Sequence, residues 1–206
     1  MGKDLKDSEK ADLAKIHAEI NQILNQRYNL VILTITVFGL FMASLTQKDK
    51  FNLEIYTIKY EFFLVLFFLG VLTYLSIITS GLTKQFYILR AYLISAELSD
   101  WEINFEKFRR NEMKREHFGY SKTTRYIFFI IGITILCVGY LNQFIKQKID
   151  FAAAQNFLAP LLYLVIGVVY VWFIYIIYYP LEQKEREKRL LDSWRIILNN
   201  ENNKSD

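Results

Sequence analysis

The sequence predicts an all-α, polytopic membrane protein with four transmembrane helices and cytoplasmic amphipathic helices. Three observations carry that expectation. Of 206 residues, 53% are hydrophobic and 17% aromatic, yet 22% are charged, so apolar and polar residues form two separate populations. The apolar ones fall into four uncharged blocks of 19 to 22 residues; about 20 helical residues cross a hydrocarbon core of about 30 Å. Lys and Arg are spread unevenly around the blocks, twenty on one side and five on the other. The positive-inside rule then puts both termini and the long central segment in the cytoplasm.

The elements follow in order. Residues 1–27 form a cytoplasmic helix whose Leu13, Ile16, Ile20, Ile23 and Leu24 share one face. That face rests on the bilayer, on other cytoplasmic helices, or on another subunit. No Pro or Gly separates it from the first span, 28–46, in which Gly39 and Ala43 form a small-xxx-small pair. An outer loop, 47–61, leads to the second span, 62–80, which carries a similar pair, Ser76 and Ser80. Either pair serves packing within one chain or contacts between chains.

Residues 81–125 read as a cytoplasmic helical hairpin. Leu82, Phe86, Leu89, Leu93 and Ala96 continue the second span beyond Gly81. Ser99 and Glu102 make a capping box that starts a second helix. Trp101, Phe105 and Phe108 line its apolar face, and Arg109 and Arg110 lie opposite. Gly119 and the polar run 120–124 are expected to break the hairpin before the third span, 126–145. A second outer loop, 146–157, and the fourth span, 158–179, follow. Residues 180–206 form a cytoplasmic C-terminal helix with a stripe of Leu190, Leu191, Trp194, Ile197 and Leu198, frayed from Asn199. Trp101, Phe105, Phe108, Arg109, Arg110 and Trp194 are the expected surface for a cytoplasmic protein partner. With a shift of 98 residues, Arg27-Tyr28 aligns with Arg125-Tyr126 and Lys48-x-Lys50 with Lys146-x-Lys148, a faint internal repeat. No cleavable signal is expected, so the first span serves as its own insertion signal.

Composition narrows the chemistry. One Cys, Cys137, excludes a disulfide framework, and two distant His, His17 and His117, give no metal spacing. No metal and no cofactor is expected. The central segment is only +3, too mild for direct nucleic-acid binding. The spans hold no formal charge, and Glu61 stands at the outer edge of the second, which disfavours an ion-coupled transporter. The hydroxyls of Thr34, Thr36, Thr73 and Thr134 are expected to bond their own helix backbone. A pore built by oligomerisation needs no charge in its lining. The alternative chemistry is a membrane-anchored RNase using Arg110 and His117, because some helical RNases of prokaryotic defence systems place His four to six residues after Arg; here six intervene.

The whole-chain pattern resembles the small four-span membrane proteins that act as accessories or effectors of bacterial antiviral defence systems. The membrane accessory proteins of type VI-B CRISPR loci and the membrane subunit of Kiwa are of this type. The resemblance rests on the length, the four spans with both ends inside, the N-terminal helix ending in NQRYNLVILTITVFG, and the hairpin between spans two and three. It implies a non-enzymatic, homo-oligomeric inner-membrane effector or regulator that couples a cytoplasmic signal or partner to membrane perturbation or pore formation. A passive scaffold recruiting a soluble partner is the remaining alternative. Few Gly and Pro beside many Lys, Asn, Ile, Phe and Tyr suit an AT-rich bacterial coding sequence.

Overall fold

The computed structural model describes residues 7–46, 54–55, 58–98, 103, 120–147, 158–182 and 184–202. It is helical: α1 (Asp7–Thr46), α2 (Tyr60–Ser95), α3 (Tyr120–Gln147), α4 (Leu158–Glu182) and α5 (Lys184–Asn202). The segment between α1 and α2 adds a minimal antiparallel ladder, β1 (Glu54–Ile55) and β2 (Ile58–Lys59), which pairs Glu54 with Lys59 and Ile55 with Ile58. Helices α1 to α4 are each long and apolar enough to cross a membrane.

The helix bounds differ from the sequence expectations in instructive ways. α1 runs unbroken for 40 residues, about 60 Å and twice the hydrocarbon thickness. α3 begins at Tyr120, so the polar run expected to break the chain is helical. Its Ser121 and Thr124 stand three apart, share a face and are buried; Ser and Thr break helices only when their backbone has a better alternative. Pro180 lies inside the last turns of α4. α5 extends to Asn202, past the point where fraying was expected.

The chain divides into two compact units: 1–28, 79–122 and 179–206 form one, and 29–78 and 123–178 the other. In the first unit the predicted apolar faces meet. Leu13, Ile16, Ile20 and Leu24 of α1 pack with Phe86, Leu89, Leu93 and Ala96 of α2 and with Leu98. The end of α2 is a Schellman motif. Glu97 takes φ 56°, Leu98 N–H donates to the Leu93 carbonyl and Glu97 N–H to that of Ile94. The accompanying apolar contact of this motif is Leu98 against Leu93, both in the core. Glu97 takes the place where Gly is usual, which is why the sequence did not announce this stop.

α5 docks on the same unit through its buried Leu191. Ser95 Oγ donates to the Leu191 carbonyl at 3.3 Å, and Trp194 meets Tyr92 edge to face at 4.9 Å. The predicted stripe is only partly used: Ile197, with Ile196 beside it, is exposed.

The second unit holds the apolar parts of α1 to α4. Val37 and Phe41 of α1, Val65, Phe68, Leu69 and Leu72 of α2, Phe128 and Ile135 of α3 and Ile174 of α4 are buried. Phe41 and Phe68 join α1 to α2 edge to face at 5.4 Å.

Candidate functional site

The candidate site is the set of polar groups buried within the apolar unit, built around one face of α4. Tyr163, Tyr170, Ile174 and Tyr178 recur at helical spacing and are all buried, whereas Leu164, Val168, Trp172 and Tyr179 on the other faces are exposed. Each tyrosine lies in a place prepared by a small residue or a carbonyl. A Cβ on Gly132 of α3 would collide with the Tyr170 ring, and one on Gly139 would stand 3.7 Å from the Tyr163 ring and collide with Val65. Gly132 and Gly139 are seven apart, as are Tyr163 and Tyr170, and they pair in opposite chain directions. Two antiparallel helices with a heptad repeat produce this meshing.

Hydrogen bonds complete it. Tyr170 donates to the Phe128 carbonyl at 2.7 Å. In an α-helix that carbonyl already serves the N–H four residues on, at Gly132, so the ring enters beside the turn that its hydroxyl bridges. Tyr178 reaches the Ser76 carbonyl at 3.5 Å, a long contact, at the start of the predicted Ser76-xxx-Ser80 turn. The spans' threonines behave as expected: Thr34, Thr36, Thr73 and Thr134 donate to the carbonyls of Leu30, Ile32, Leu69 and Ile130. The hydroxyls of Ser76 and Tyr163 are enclosed with no hydrogen-bond partner among the described residues.

The predicted site residues are placed as follows. Ser76 is buried in this interior and Ser80 half-buried. Gly39 and Ala43 are exposed, and nothing lies within 4 Å of a Cβ built on Gly39. Trp194 is half-buried against Tyr92. Trp101, Phe105, Phe108, Arg109, Arg110 and His117 lie outside the described residues. The repeat's two Arg-Tyr pairs differ in setting: Arg27 is buried, whereas Arg125 is half-buried over the Tyr126 ring. Among the described residues no group of three or more His, Cys, Asp or Glu is placed to hold a metal. The glycine–tyrosine meshing was missed, although its signal, two pairs seven apart in adjacent apolar blocks, stands in the sequence.

The outside of the unit is apolar as well. Ile32, Leu33, Ile35 and Leu40 of α1, Phe63 and Phe67 of α2, Phe129 and Ile130 of α3, and Leu161 and Val168 of α4 all face outward. A soluble domain rarely exposes so continuous an apolar surface. Comparison with models of protein families, with curated proteins and with solved structures found no match.

Proposed function

We propose that the chain is a multi-pass protein of the bacterial inner membrane whose termini and residues 81–125 are cytoplasmic. It oligomerises there and couples a cytoplasmic signal or protein partner to membrane perturbation or pore formation, in the manner of antiviral defence effectors. The observation that carries this reading is the outward surface of the second unit, which is apolar on each of α1 to α4. Lipid rewards that arrangement and water penalises it. The charge distribution supports the orientation, with twenty basic residues on the cytoplasmic side and five outside.

The coupling runs through helices. α1 and α2 each contribute residues to both units without interruption. A shift of the cytoplasmic helices therefore repacks the spans. Contacts between copies use the outward face of α1, where Gly39 and Ala43 leave room for a neighbouring helix backbone. No residue takes a catalytic part in this mechanism.

Reconstitution in liposomes tests the reading. The expected result is a leak of ions or dye when the protein, with its cytoplasmic partner, is present at oligomer-forming density. Sealed vesicles under every condition overturn the pore.

A further inference from the structure

The first turn of α3 holds a polar group that the helix packing leaves unused. Ser121 is the second residue of this 28-residue helix and is 2% exposed. Its hydroxyl is enclosed without a hydrogen-bond partner among the described residues. A buried donor without an acceptor costs stability, so its place needs a physical account. Every Cα–Cβ bond of an α-helix tilts toward the N-terminus. The Ser121 side chain therefore leans toward the end of α3 where backbone donors are unsatisfied. There the N–H groups of Tyr120, Ser121 and Lys122 have no acceptor within the helix.

The charge of the turn decides what fits there. A helix N-terminus carries a partial positive charge and ordinarily attracts Asp or Glu. The first turn of α3 has no acidic residue. It has Lys122 instead, and Arg125 follows four residues after Ser121, on the same face; both are half-buried. The Arg125 guanidinium lies over the Tyr126 ring, 5.2 Å from its centroid, which keeps it at the level of these turns. Two cations beside a positive helix end are unfavourable, and an anion offsets both. The orienting role of basic residues at a membrane accounts for the cations but not for the enclosed hydroxyl. Phosphate offers several oxygens at once, enough for amides, hydroxyl and guanidinium together. Rotation of the Ser121 side chain about its Cα–Cβ bond presents the hydroxyl without moving the backbone.

We propose that the first turn of α3 binds a phosphate group through the Ser121 hydroxyl, the amides of 120–122, Lys122 and Arg125. The stretch of α3 that is long and apolar enough to cross a membrane starts at Ser121, and Tyr126 is 42% exposed beside it. Tyrosine so placed suits the headgroup level, where the phosphates of lipids lie. The phosphate is that of an anionic phospholipid, and it anchors the start of α3 at the membrane surface. This source rests on the proposed membrane topology, whereas a free phosphate ion needs the turn alone.

Thermal unfolding of the full chain in nonionic detergent tests this. Dioleoylphosphatidylglycerol, dioleoylglycerol and inorganic phosphate are titrated separately, at constant ionic strength and pH. The expected result is a saturable rise in Tm with dioleoylphosphatidylglycerol and none with dioleoylglycerol, which lacks the phosphate. Ser121→Ala weakens the apparent affinity about tenfold, the effect of losing one hydrogen bond to a charged group. Arg125→Gln weakens it at least as much. A rise with inorganic phosphate alone, lost in the same variants, upholds the site and assigns it to a free ion. No rise with either phosphate overturns the proposal. So does a rise as large with dioleoylglycerol, or one with equal midpoints in the wild type, Ser121→Ala and Arg125→Gln. Should Arg125→Gln not fold, Lys122→Gln replaces it with the same expectation. Extraction with alkaline carbonate judges the topology separately: a chain so released contradicts the topology, while the titration still decides the phosphate site.

Discussion

Gly132 shows how one missing methyl organises the interior of the apolar unit. Its place is filled by the Tyr170 ring, which is buried and held by its bond to the Phe128 carbonyl. Gly132→Ala therefore forces the ring off its acceptor and destabilises the protein by about 1–3 kcal/mol, measurable as a loss of Tm or as easier denaturation in detergent. Tyr170→Phe keeps the ring and loses only the bond, at about 0.6 kcal/mol and at most about 1.7. Gly39→Ala has open space and gains helix propensity, so the monomer is unchanged or up to about 1 kcal/mol more stable. Gly39→Leu should leave the fold intact and lower the oligomer mass. The sequence contained the signal for both kinds of glycine but not the means to sort them. Small-xxx-small spacing drew attention to Gly39 and Ala43, which face outward. The inward meshing uses a seven-residue spacing split across two helices, and becomes visible only once α3 and α4 are known to run against each other. Glu97 was unreadable for a different reason: the stop it makes rests on the burial of Leu93 and Leu98, not on a turn residue. Glu97→Gly relieves its left-handed backbone and stabilises the first unit by about 1 kcal/mol, which chemical denaturation will register.

At the scale of elements, the four long apolar helices were legible because uncharged runs of their length leave little choice. Their ends were less so. The start of α3 was misplaced because Ser121 and Thr124 read as breakers, whereas their three-residue spacing makes a buried face. The apolar faces of the first unit were legible from periodicity: Ile16 and Ile20 of α1 and Leu89 and Leu93 of α2 fall in one cluster. What periodicity lacked was the partner of each face. The C-terminal stripe shows this, since Leu191 is buried and Ile197 exposed on one helix. The fully buried Leu93 is the centre of that cluster. Leu93→Ala should destabilise the first unit by about 2–5 kcal/mol. Limited proteolysis will then cut α1 before Arg27 and α5 earlier than in the parent, while the apolar unit stays protected.

For the whole molecule, the segregation of residues seen in the composition has a structural counterpart. The unit containing 29–78 and 123–178 carries the outward apolar surface, and the other carries an apolar core of its own. The outward apolar surface, with the charge asymmetry, supports the proposal that the protein spans the membrane four times with both ends inside. Labelling of single cysteines by an impermeant maleimide tests it most directly. In a Cys137→Ser background, Ala152→Cys stands in the sequence between α3 and α4 and Ser193→Cys on α5. The expected result is that Ala152→Cys is labelled from outside, in cells whose outer membrane alone has been made permeable, and Ser193→Cys only after the inner membrane is opened. Labelling of Ser193→Cys from outside, or release of the protein from membranes by alkaline carbonate, contradicts it.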